Sequence, residues 1–276
     1  MSRRGAQPDG RFHFEPDDRG GVTVLVDGHP QSHVDLADPE LLAFDYVAQL
    51  AMVLDVLPAG PLRVTHLGGA GLTLARWVAA TRPGSPQIVL EPDAELTAAV
   101  RERLPLPRGH RIRIRPVDGR SGLAGLADGS ADAVVLDAYA AGRVPGELVT
   151  VEALAEVGQV LAPAGVLVAN LADEPGLGWV ARVVASLESA GWAGDVGLVA
   201  AAEVLKGRRF GNVVVAAART ALDLAALRRR AASASWPTAV RDHGEVRRLA
   251  CGARPFTDAT AEPSPVPPDP GSWRVR

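Results

Sequence analysis

The chain has 276 residues, a formal net charge of −3 and a hydrophobic share of 47%, which suits one large domain with a sizeable core. The mildly acidic balance argues against nucleic acid or an anionic membrane as main partner, and the single cysteine, Cys251, rules out an internal disulfide and a cysteine-based metal cage. No apolar run reaches the roughly 18 residues of a membrane span. The stretch 196–205 comes nearest and is broken by Glu203. Residues 1–10 carry arginines with no apolar segment behind them, which predicts a disordered leader on a soluble, cytoplasmic protein rather than a secretory signal.

From Arg11 to Val34 short β-type segments alternate with turn residues at 17–21 and at Asp27-Gly28, predicting a small antiparallel hairpin or meander over residues 11–37. Asp38 as N-cap and Pro39 at the first helical position open a helix in which Leu42, Tyr46, Leu50, Val53 and Leu57 recur at helical spacing, until 58–61 stop it. Strands and helices then alternate: strands at 62–67, 87–91, 111–117, 132–137 and 165–171, helices at 71–81, 93–103, 147–161 and 175–190. Such alternation predicts right-handed βαβ crossovers and a mostly parallel sheet. Strands at 195–203 and 210–218, joined by 206–209, predict an antiparallel pair at the sheet edge, and a helix follows at 222–232. The rest, 233–276, reads as an extension ending in a Pro-rich disordered tail from Arg254 onward.

Three of the strands end on residues suited to a nucleoside. The first runs into Gly68-Gly69-Ala70-Gly71, where missing side chains let backbone approach a ligand and the next helix offers free N–H groups; a tight turn without ligand is the alternative. The second ends on Glu91, 20 positions after Gly71, where a carboxylate can accept both ribose hydroxyls or simply be solvated. Asp93 is a candidate N-cap. Asp118, ahead of Gly119, can accept from an adenine amine or cap a turn. Asp137 ends the most apolar strand at the mouth where open α/β sheets bind ligands; it can hold or deprotonate an amine, or cap the loop that begins with Ala138. Tyr139 either lines the same pocket or packs in the loop. His29 and His33 flank Pro30 in strand-like context, so no metal site is expected. Neither a nucleophile elbow nor a phosphate-binding P-loop is present.

The order of these parts resembles the spermidine synthase (polyamine aminopropyltransferase) family, whose core is the Rossmann-like fold of class I S-adenosylmethionine-dependent methyltransferases. Within it, the chain is most similar to a spermidine-synthase-like bacterial branch. The resemblance spans residues 20–220 through Gln31-Ser32, Asp45-Tyr46, Leu67-Gly68-Gly69-Ala70-Gly71, Leu90-Glu91-Pro92-Asp93, Val117-Asp118-Gly119 and Leu136-Asp137. It implies an α/β fold with a mostly parallel seven-stranded sheet over 38–232. It also implies a donor, S-adenosylmethionine or its decarboxylated form, held by Gln31, Gly68, Gly69, Gly71, Glu91, Asp118 and Gly119. Asp137 and Tyr139 would face an amine acceptor, and no metal is implied. The sequence departs from the family at two acids. Gly71 stands where the family has the aspartate for the donor's amine, and 138–142 lack the acid that holds the acceptor. An aminopropyl transfer to an amine is the reading taken; a methyltransferase with another acceptor, or a non-catalytic nucleoside-binding protein, are the alternatives. The alternating apolar residues of the N-terminal β piece predict a homodimer.

Overall fold

The structure, a computed structural model, describes residues 10–192 and 194–268. The expected leader lies outside them except for Gly10, as does the end of the chain from 269.

Strands β1 (Phe12–Pro16), β2 (Gly21–Val26) and β3 (His29–Asp35) form an antiparallel sheet. The β2–β3 turn is Asp27-Gly28 with φ of +51° and +78°, the left-handed pair that a two-residue hairpin demands. Helix α1 (Asp45–Asp55) begins seven residues later than Asp38. Two aspartates account for the difference. The Asp35 carboxylate accepts from the amides of Ala37 and Asp38 (2.8 and 2.9 Å), and that of Asp38 from Glu40 (3.1 Å), so local turns win over a helix start.

The central unit follows as β4 (Val64–Leu67), α2 (Thr73–Thr81), β5 (Gln87–Leu90), α3 (Ala94–Arg103), β6 (Ile112–Arg115), α4 (Gly119–Ala124) and β7 (Ala131–Leu136). A 3-10 turn then leads into α5 (Val151–Val160), β8 (Leu161–Asp173), α6 (Gly178–Ser189), β9 (Val196–Ala201), α7 (Ala202–Leu205), β10 (Gly211–Ala218) and α8 (Leu224–Ala232). Last come β11 (Thr238–Arg241) and α9 (His243–Ala250), which the sequence reading did not foresee. The sheet order is β11-β9-β10-β8-β7-β4-β5-β6, eight strands rather than seven. Strands β6, β5, β4, β7 and β8 run parallel, whereas β10 pairs antiparallel with both β8 and β9. The pair β9–β10 is therefore antiparallel as expected, but β11 takes the edge beyond it.

Alternate residues along the buried strands serve opposite faces. Val134, Leu136, Leu167 and Val213 pack with α5, α6 and α9, while Val135, Val166, Val168 and Val214 pack with α1, α2 and α8. Val24 and Val34 of the small sheet join Leu72, Ala75, Val89, Leu96 and Val100. The apolar residues that prompted the expectation of a dimer thus cover α2 and α3 of the same chain.

Prolines from Arg254 onward do not make a disordered tail within the described residues. Phe256 and Ser264 are fully buried. The Phe256 ring lies against Trp179 (5.7 Å between centroids) and under the Arg182 guanidinium at 3.8 Å. The Phe256 backbone is bonded on both sides, its N–H to Ser186 Oγ (2.8 Å) and its carbonyl from the Val151 N–H (2.8 Å). Further on, Ser264 and Val144 exchange bonds of 2.9 and 3.0 Å, and Arg143 donates to the carbonyls of Ser264 and Pro263. Composition alone misses this because one apolar anchor and a few backbone bonds are enough to hold an extended segment that needs no secondary structure of its own.

Candidate active site

The register of the parallel strands builds the site. Leu67 pairs with both Leu90 and Leu136, so the residues that follow, Gly68, Glu91 and Asp137, emerge at one level on the carboxyl edge. The Gly68 N–H reaches Leu90 O and the Asp137 N–H reaches Leu67 O, both 2.9 Å, which extends the ladder by one residue. Open α/β sheets bind ligands at this edge.

The glycine turn is bent by its neighbours as much as cleared for a ligand. Gly68 has φ +87°, and a Cβ there would lie 2.3 Å from the Asp137 carbonyl oxygen. A Cβ on Gly69 would meet Val89 at 2.5 Å, and one on Gly71 would meet Ser32 Cβ at 2.7 Å. The Gly71 position is thus occupied from the small sheet: Ser32 Oγ accepts the Gly71 N–H at 3.0 Å, and Thr73 donates to the His33 carbonyl at 2.8 Å. The N-terminal sheet is a wall of the site.

Glu91 is half-buried. One of its oxygens, Oε2, accepts from the amides of Gly69 (3.0 Å) and Ala70 (3.2 Å); the other accepts from Asp93 N at 3.0 Å. The carboxylate therefore ties the glycine turn to the start of α3, whose N-cap is Asp93. Asp118 caps α4, accepting from the Ser121 N–H at 2.9 Å, and that bond holds its exposed carboxyl below the usual range. The turn-capping alternative describes its present partner. A Cβ on Gly119 would lie 3.2 Å from Leu148 and 3.5 Å from Leu67, so Asp118 stands beside the same edge. Gln31 is half-buried on β3 next to Ser32, and its carbonyl is the long-range (3.5 Å) acceptor of the Tyr46 hydroxyl.

Asp137 heads a polar row. Its Oδ1 accepts from Asn170 Nδ2 (2.9 Å); Asn170 Oδ1 accepts from Asn212 Nδ2 (2.9 Å); and the same Asn212 nitrogen reaches Tyr139 Oη (3.1 Å). Burial pushes the Asp137 carboxyl up to about 6, the Asn170 bond only partly offsetting it. Burial, reinforced by the negative charge of Asp137, holds the phenols of Tyr139 and Tyr46 well above their ordinary value, so both remain hydrogen-bond donors. The structure brings together Gly68, Gly69, Gly71, Glu91, Asp137 and Tyr139. Ser32 entered the sequence reading only within the motif Gln31-Ser32, without a role, and it was missed along with Asn170 and Asn212 as part of the site. The last two had a signal, since each is a lone polar residue in an apolar strand, 165–172 and 211–218. A cleft of about 660 Å³ elsewhere, lined by Arg76, Pro105 and His110 ahead of β5 and β6, includes none of the expected site residues.

A parallel sheet closed by an antiparallel pair, with its crevice at the carboxyl edge behind a glycine turn, is the Rossmann-like fold of the S-adenosylmethionine-dependent methyltransferases. Human methyltransferase-like protein 13, solved in complex with SAH, shares it at 18% identity and a TM-score of 0.52, over 78% of this chain and 96% of that one. A probable spermidine synthase from Corynebacterium glutamicum is 30% identical with a TM-score of 0.83, over 93% of this chain and 95% of that one. A spermidine synthase in complex with the transition-state analogue AdoDATO is 18% identical with a TM-score of 0.56, over 76% and 74%. The chain belongs to the spermidine synthase family. No model of a known protein family and no curated protein matches it.

Proposed function

We propose that the protein transfers an aminopropyl group from decarboxylated S-adenosylmethionine to an amine. The observation that carries this reading is Asp137, a half-buried carboxyl pushed up to about 6, fixed at Oδ1 by Asn170 and level with the glycine turn and Glu91. A base poised near neutral pH suits proton removal from an attacking amine. In the proposed reaction the neutral amine nitrogen forms a bond to the aminopropyl methylene. The carbon–sulfur bond breaks, its electron pair stays on sulfur to give methylthioadenosine, and the surplus proton on nitrogen goes to Asp137. Glu91 would accept the ribose hydroxyls, Asp118 the adenine amine, and Gln31, Gly68, Gly69, Gly71 and Gly119 would line the donor.

Formation of methylthioadenosine with a matching aminopropylated amine, followed by mass spectrometry, tests the reading; donor binding without any transfer to an amine overturns it. Glu91→Ala is expected to weaken methylthioadenosine binding by about 1–3 kcal/mol in calorimetry, and unchanged affinity would remove Glu91 from the ribose. Ser32 favours a second reading. It fills the place of an amine-binding acid at Gly71, which leaves no carboxylate there to prefer the decarboxylated donor. Intact S-adenosylmethionine would then be accepted as a methyl donor, seen as methyl rather than aminopropyl transfer.

A further inference from the structure

The surroundings of Asp137 bear on what the acceptor carries at its far end. A short diamine held by its attacking nitrogen at Asp137 has a second ammonium to place, and a buried ammonium needs a carboxylate or several acceptor oxygens. The row beside Asp137 adds no second carboxylate and only one side-chain amide oxygen outside its own hydrogen bonds, Asn212 Oδ1, too few for an ammonium. Asn170 spends its nitrogen on Asp137 and its oxygen on Asn212, and Asn212 turns its nitrogen toward the Tyr139 oxygen. With that oxygen accepting from Asn212, the Tyr139 hydroxyl proton points away from Asn212 and is left to donate. Between Ala138 and Gly146 the sole charged side chain is the cation of Arg143, and the backbone bridge between Ala140 and Arg143 closes this loop tightly, with Ala141 and Gly142 both at positive φ. Arg143 is anchored to the carbonyls of Ser264 and Pro263, so the loop is held in this shape by the chain's own C-terminal segment. Asp45 is the other carboxylate whose charge reaches Tyr46, and its Oδ1 is engaged by the Tyr46 N–H at 2.8 Å.

We infer that the acceptor is an amine whose other end is an oxygen function able to accept a hydrogen bond, an amino alcohol or similar monocation, rather than a diamine. Tyr139 donates to that oxygen, and the Asn170–Asn212 pair keeps Tyr139 and Asp137 in place. The inference rests on the aminopropyl-transfer reading but is tested by binding, which does not depend on turnover.

The test compares aminobutanol with putrescine, which have equal carbon chains, by calorimetry on the full chain saturated with methylthioadenosine. Aminobutanol is expected to bind at least tenfold more tightly. Tyr139→Phe should abolish that preference, and Asn212→Asp, which adds a carboxylate beside Tyr139, should raise putrescine affinity at least tenfold. Equal or tighter binding of putrescine to the unsubstituted protein overturns the inference. If that putrescine preference disappears in Asp45→Asn, Asp45 is the remote partner. A preference for aminobutanol that survives Tyr139→Phe also overturns it, as does failure of both amines to bind. If aminobutanol binds as expected and no aminopropyl group is transferred from decarboxylated S-adenosylmethionine, the transfer reading fails while the acceptor class stands.

Discussion

Asp137→Asn separates stability from chemistry in a way the structure makes quantitative. The carboxyl has its pKa moved from 3.8 to about 6 by burial. Because the folded value lies above the unfolded one, the folded state favours the protonated acid, and ionising it costs stability at every pH above 6. A gap of about two units corresponds to about 3 kcal/mol when the acid is fully ionised, at 1.36 kcal/mol per unit. Since Asp137 keeps some exposure, about 1–3 kcal/mol is the range to expect. Asparagine is nearly the same size and still offers Oδ1 to Asn170 Nδ2, so no packing is lost with the charge. The variant should therefore resist urea better than the parent by about 1–3 kcal/mol at pH 8. The gain should shrink as pH falls through 6 and vanish below 3.8, where the carboxyl is protonated in both the folded and the unfolded parent. Transfer should be abolished, while methylthioadenosine affinity stays. A stabilisation independent of pH, or none at pH 8, would refute the buried-charge reasoning. Full activity would refute the role of Asp137 as base. Gain of stability on loss of a functional group is the mark of a site that stores cost for chemistry.

Other consequences can be measured directly. His66, buried on β4 with Gln87 Oε1 at 2.8 Å, has its pKa lowered from 6.5 to about 4 by burial. The unfolded chain binds the extra proton between these values, so His66 makes stability fall as pH drops from 6.5 to 4, by up to about 3 kcal/mol. Asp137 acts with the opposite sign over much of that window, so Asp137→Asn should steepen the acid loss seen in urea titrations, and an unchanged slope would contradict the pair. Phe256→Ala should cost about 3–5 kcal/mol in the same assay; a cost under 1 kcal/mol would show that the C-terminal segment is not anchored there. Gly71→Asp, which restores the family's acid, should destabilise by about 1–3 kcal/mol because its Cβ collides with Ser32. Adding Ser32→Gly should relieve that loss in thermal unfolding, whereas an equally unstable double variant would place the strain elsewhere.

The sequence by itself determined the central alternation of strands and helices, the glycine turn, and the acids that end β5 and β7. These are legible because they rest on local rules: apolar strand runs, helical spacing, and the need for glycine at Gly68, where φ is +87°. The helix expected at Asp38 failed on the same local scale, through two aspartates that satisfy their own backbone. Tertiary structure alone decided the rest. No local pattern says that Ser32, thirty-nine positions away, fills the space beside Gly71. Nor does one say that Asn170 and Asn212, on strands that run in opposite directions, meet beside Asp137. The C-terminal segment reads as disordered by its prolines, yet Phe256 is buried between Trp179 and Arg182. Each of these contacts joins residues far apart in the chain, and its free energy exists only once the sheet has brought them together.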